Sequence, residues 1–146
     1  MQKLPLLAAL LCSLATAQAA GPAISEVPAV PAQHPLVGTW TWTLPGKSCT
    51  ETWQVRADGT RLGTSGEETT QADYDIPPIP GLLGFYKLVE TVTQSNGKRD
   101  CSGDLHETTG NSVTQFIQFS PKRDQLVVCR AESLKACYGP LKRVPG

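Results

Sequence analysis

The chain is short of the residues that most often carry out chemistry. It has two histidines, three residues each of phenylalanine, tryptophan and tyrosine, and Met1 as its one methionine. The Gly-x-Ser-x-Gly elbow is absent, there is no second positioned histidine, and no nucleophile with its base has supporting context. Thr64-Ser65-Gly66-Glu67-Glu68 offers a hydroxyl beside two carboxylates, but it reads as a solvated acidic turn. The absence of a Cys-x-x-Cys pair argues against a redox dithiol and a zinc knuckle. No apolar run approaches the roughly 20 residues that a membrane-spanning helix needs. Charge is balanced, 13 basic against 13 acidic side chains, so there is no electrostatic footprint for nucleic acid or an anionic membrane face. Sustained helical periodicity is also missing, which leaves strands and turns.

The first residues carry a different signal. Met1 to Lys3 holds one positive charge, Leu4 to Leu14 is apolar, and Ala17-Gln18-Ala19 supplies a small-residue boundary. That order is a secretory signal peptide over 1–19, cut after Ala19. Leu11 precedes Cys12 where a lipoprotein signal would place a small residue, so a lipid anchor is not expected. Cleavage removes Lys3 and Cys12 and leaves Cys49, Cys101, Cys129 and Cys137. Four cysteines in an exported chain imply two disulfides with three possible pairings. The short loop between Cys129 and Cys137 closes at little entropic cost, which favours that pair and leaves Cys49 with Cys101. The expected location is periplasmic or extracellular, in soluble form. Residues 20–35 carry Pro22, Pro28, Pro31 and Pro35 among small residues and read as a flexible leader. A single domain then covers 36–146.

Within that domain, short alternating runs recur between turn signals. Leu36 to Leu44 puts Trp40, Trp42 and Leu44 on one face and three threonines on the other. Cys49 to Arg56 follows, then Asp58-Gly59 and Thr60 to Thr64, then Glu68 to Ile76. Phe85 to Gln94 leads into Asn96-Gly97, the strongest hairpin signal present, which predicts a returning strand over Lys98 to Glu107. Ser112 to Ser120, Leu126 to Arg130 and Tyr138 to Val144 complete the series, with room for no more than one helical turn between Ala131 and Ala136. The fold expected is all-β: an antiparallel, eight-stranded up-and-down barrel that leaves no exposed edge, with a two-sheet β-sandwich as the alternative.

Gly38-Thr39-Trp40 resembles the Gly-x-Trp signature that opens the first strand of lipocalin-like (calycin) barrels. The likeness covers one strand. It implies that Trp40 plugs one barrel end under an arginine of the last strand, with Arg143 the natural partner and Arg130 the other candidate. The family's Thr-Asp-Tyr motif has only the echo Ala72-Asp73-Tyr74, without the threonine and in the first half of the chain, and is set aside as chance.

The segment from Ile76 to Phe85 is far more apolar than a solvent-facing connection should be. Either it folds over a barrel end and completes the core, or it offers Ile79, Leu82, Leu83 and Phe85 to a ligand or partner, with Trp42 as a further ligand contact. Trp40, Trp53 and Arg143 are assigned structural roles. Asp100, Ser102, Asp104 and His106 alternate, which on a strand would place them on one face but spread them over about 20 Å, too far for one ion without help from another strand. No metal site and no cofactor is expected. The function these features favour is a non-catalytic, exported binding protein for a small apolar or amphipathic ligand. An inhibitor or immunity-type protein that binds another exported protein is the alternative, and a hydrolase of envelope substrates the third.

Overall fold

In the computed structural model, residues 30–106 and 109–146 are described; the expected signal peptide and cleavage site, and the expected leader up to residue 29, lie outside them. Eight strands follow one another: β1 (Gly38–Thr43), β2 (Thr50–Val55), β3 (Thr60–Ser65), β4 (Glu68–Asp75), β5 (Tyr86–Ser95), β6 (Ser112–Phe119), β7 (Gln125–Cys129) and β8 (Cys137–Arg143). Each pairs antiparallel with the next, and β1 pairs with β8, so the sheet closes into a barrel. Closure rules out the sandwich, and the architecture is compatible with a lipocalin-like fold. Among the described residues no helix is long and apolar enough to cross a membrane. Ala131 to Ala136 forms bends and a turn instead of a helical turn.

Period-2 alternation explains which side chains turn inward. Trp40 opposes Trp53 across β1 and β2, and Tyr86 opposes Ile117 across β5 and β6. With Val55, Tyr74, Leu88, Leu126, Val128 and Leu141 they fill the end of the barrel where the chain enters. The core reaches further toward the N-terminus than Leu36: Val30 and His34, inside the proline-rich stretch read as a leader, are buried. Pro35 and Val37 lend backbone carbonyls to Arg143, so the last part of that stretch is a strap across the closed end.

One strand expected from the sequence does not form. Residues 98–106 are a loop with a single bridge between Arg99 and Leu105, and β5 pairs directly with β6. The reason lies in competing partners. Asn96 donates through its side-chain amide to the Glu67 carbonyl, and the Arg99 carbonyl accepts from the backbone N–H of both Glu67 and Glu68. Cys101 is bridged to Cys49 at the start of β2. These ties pull the segment across the barrel mouth toward β2–β4, away from the edge of β5. The second disulfide joins Cys129 to Cys137, so the favoured pairing is the one present.

Candidate functional site

The two barrel ends differ in chemistry. The closed end is apolar: Trp40 is fully buried, its indole N–H donates to the Leu36 carbonyl at 2.8 Å, and the Arg143 guanidinium lies 4.2 Å from its ring centre. Arg143 is therefore the partner of Trp40, while Arg130 stands at the other end, on the loop after β7.

Below the open mouth the interior becomes polar. Arg61 and Glu90, both buried, form an ion pair between β3 and β5, and the guanidinium lies 5.0 Å from the ring centre of Trp53. Gly63 makes room for it: a Cβ there would stand 2.4 Å from Arg61 Nη1. Above this pair is a cleft of about 210 Å³, walled by Glu51, Trp53, Ser65, Glu68 and Asp100. The Cys101 N–H donates to Ser65 Oγ at 3.0 Å, and the Ser65 hydroxyl donates to Glu51 Oε1 at 2.9 Å. The hydroxyl is thus engaged on both sides and ties the disulfide-anchored loop to the wall. Burial pushes the Glu51 carboxyl up, as do the negative charges of Asp100 and Glu68, against the lowering effect of the Ser65 hydrogen bond. Glu68 is raised for the same reasons, burial first and then Asp100. Glu51 and Glu68 on this wall form no ion pair with any described residue, since its arginine is committed to Glu90 and Asp100 pairs with His106.

Across the mouth a second cleft of about 440 Å³ is bounded by Gln115, Tyr138, Arg130, Lys135 and the Cys129–Cys137 bridge. Tyr138 packs on Trp42 with ring centres 5.2 Å apart. Burial, reinforced by Glu90 and Glu51, pushes its phenol far above the ordinary tyrosine range, against the lowering effects of Arg61 and of a hydrogen bond with the Gln115 side chain. Gln115 Oε1 is buried without a hydrogen-bond partner among the described residues, an arrangement that costs about 1 to 3 kcal/mol if left unmet.

The residues expected to form one binding surface are not together. Ile79, Leu82 and Leu83 are exposed on the β4–β5 loop beside the closed end, Leu82 completely so. Phe85 is buried at the foot of that loop. Trp42 faces the interior on the mouth side, packed against the core. Backbone bonds from Gly81 N–H to the Phe85 carbonyl and from Gly84 N–H to the Gly81 carbonyl give the loop a fixed shape. Glu51, Arg61, Ser65, Glu68, Glu90, Gln115 and Tyr138, which do converge, were not singled out as a site by the sequence. The one available signal was inward-facing polarity, as at Arg61 and Glu90, whose neighbours two residues along the strand are otherwise small or apolar.

The geometry assumed for Asp100, Asp104 and His106 is overturned. The loop curls, and ligand-type atoms of the three residues lie within 4.8 Å of one another instead of along a strand. Their chemistry would suit a divalent cation. Asp100, however, already accepts from the Ser102 and Asp104 amides and pairs with His106 at 3.3 Å, so the cluster satisfies itself.

No family model matches the chain, and no curated protein or solved structure matches it significantly.

Proposed function

We propose that this chain is an exported, non-catalytic binding protein that holds a small amphipathic ligand in the open mouth of its barrel. The observation that carries the reading is the polar layer under the mouth: a buried Arg61–Glu90 pair, an unpartnered Gln115 oxygen and a crowded carboxylate wall, all facing two clefts. Polar groups inside a barrel this small cost stability unless something repays their desolvation, and convergent polar groups beside aromatic rings are how ligand pockets fix orientation. The first cleft is smaller than a drug-sized pocket, in keeping with a ligand of few atoms. The signal-like first 19 residues and the two disulfides support export. Gly38-Thr39-Trp40 under Arg143 supports a lipocalin-like relationship.

Native mass spectrometry of the protein purified from its own compartment tests this. A co-purifying small molecule that Gln115→Leu releases from the folded protein is the expected result, and an intact mass beginning at Ala20 is expected alongside. A stoichiometric protein partner with nothing in the barrel would instead favour the second reading, docking of another exported protein. That reading is supported by the exposed Ile79, Leu82 and Leu83 on a loop of fixed shape.

A further inference from the structure

The mouth has walls of opposite charge. In a ring of eight strands β3 and β7 lie four places apart in either direction, so the first cleft, on β2–β4, faces the second, on β6–β8. The first wall presents Glu51 and Glu68, its Arg61 being paired with Glu90 and its Asp100 with His106. The second presents Arg130 and Lys135, which form no ion pair with any described residue. The acid nearest them in sequence, Glu132, is directed at Gly81, where a Cβ would meet its carboxylate oxygen at 3.3 Å. On the second wall Gln115 supplies a buried acceptor that lacks a donor among the described residues, with Trp42, Trp53 and Tyr138 as the aromatic surroundings. The two sides are in electrical reach of each other, because Tyr138 on one feels Glu51 on the other.

We propose that the mouth binds a short peptide with free termini, its ammonium end against Glu51 and Glu68, its carboxylate end against Arg130 and Lys135, and a backbone N–H donated to Gln115 Oε1. The inference rests on the small-ligand reading above. An eight-stranded barrel is just wide enough for one small ligand, so a single molecule can touch both walls. A single α-amino acid brings its two charges too close together to do so. A molecule with opposite charges at its ends and an amide N–H between them answers all three features at once.

The test uses the mature protein and tri-alanine, with N-acetyl-tri-alanine and tri-alanine amide as controls, followed by tryptophan fluorescence and calorimetry. The free peptide should bind at least tenfold more tightly than either blocked form, and its affinity should fall as salt rises. Arg130→Gln with Lys135→Gln, both on the exposed rim and so without consequence for folding, should erase the preference for a free carboxylate. Glu51→Gln with Glu68→Gln should erase the preference for a free amine. Equal binding of blocked and free peptides, or preferences that survive these substitutions, would overturn the proposal. If none of the peptides binds while another small molecule co-purifies in the barrel, the inference fails and the small-ligand reading stands. If no small molecule of any kind binds, both fail.

Discussion

Arg143 holds Trp40 in place from above: its guanidinium stacks on the indole while Nη1 donates to the Val37 carbonyl at 2.9 Å and Nη2 donates to that of Pro35. One side chain of the last strand thereby fastens the first strand and the strap before it. Trp40→Ala should cost about 3 to 5 kcal/mol in denaturant unfolding. Gly38 has φ +132°, and a Cβ there would lie 2.6 Å from Arg143 Nη1, so Gly38→Ala should cost about 1 to 3 kcal/mol. A loss under about 1 kcal/mol for Trp40→Ala would show that the plug does not hold the barrel closed.

The Arg61–Glu90 pair behaves differently when one partner is removed than when both are. Arg61→Met leaves a buried carboxylate uncompensated, which should cost about 3 to 5 kcal/mol. Replacing both by methionine removes the desolvation penalty of each charge, and stability should return to near the parent value or above it. A four-variant cycle by chemical denaturation reads this directly, and a double variant as unstable as the single one would refute the account.

His34 makes the closed end sensitive to acid. Nδ1 accepts from the Leu36 N–H at 3.1 Å, so Nε2 carries the proton and donates to the Pro77 carbonyl at 3.2 Å. Burial, helped by the positive charge of Arg123, lowers its pKa below the usual 6.5, against the Pro77 hydrogen bond. The folded chain therefore prefers the neutral ring. The stability this contributes is complete above pH 6.5 and is lost as pH falls from there toward the lower folded value. The melting temperature should drop between pH 7.5 and pH 5 by more in the parent than in His34→Gln. Parallel pH profiles would exclude His34 as the group responsible.

Reduction should loosen the barrel mouth unequally. Chain entropy predicts about 4 kcal/mol from Cys49–Cys101, which spans 52 residues, and about 2.5 kcal/mol from Cys129–Cys137, which spans 8. Cys49→Ala with Cys101→Ala should therefore be the more damaging pair in thermal unfolding, and should also speed amide exchange in residues 98–106. Protection unchanged there would mean that the hydrogen bonds to Glu67 and Glu68 suffice.

Leu82→Ser with Leu83→Ser distinguishes a surface from a core at the β4–β5 loop. Both side chains are largely or fully exposed, so stability should change by no more than about 0.5 kcal/mol. A loss on the order of 4 kcal/mol would mean that the leucines are packed against something after all.

The sequence by itself determined what depends on alternation and on local turn chemistry. Thr39-Trp40-Thr41-Trp42 can bury its tryptophans only as a strand, and the alternating runs Thr60 to Thr64 and Glu68 to Ile76 on either side of an acidic turn are strands β3 and β4 to within a residue. Short strands of this kind, spaced by tight turns, leave closure as the economical way to avoid an exposed edge, and the short Cys129–Cys137 loop made its pairing readable. Where the outcome depended on distant competitors, the same reasoning failed. Asn96-Gly97 has hairpin chemistry, yet the chain beyond it spends its hydrogen bonds on Glu67 and Glu68 and its cysteine on Cys49, none of which is near it in sequence. Nor could apolar composition say whether Ile79, Leu82 and Leu83 would be covered, because that depends on what else reaches the closed end. The strap from Val30 to Val37 occupies that place instead. The candidate site is the most tertiary feature of all. Glu51, Arg61, Glu90, Gln115 and Tyr138 sit on five different strands, and ring closure alone gathers these scattered positions under the two clefts of the mouth.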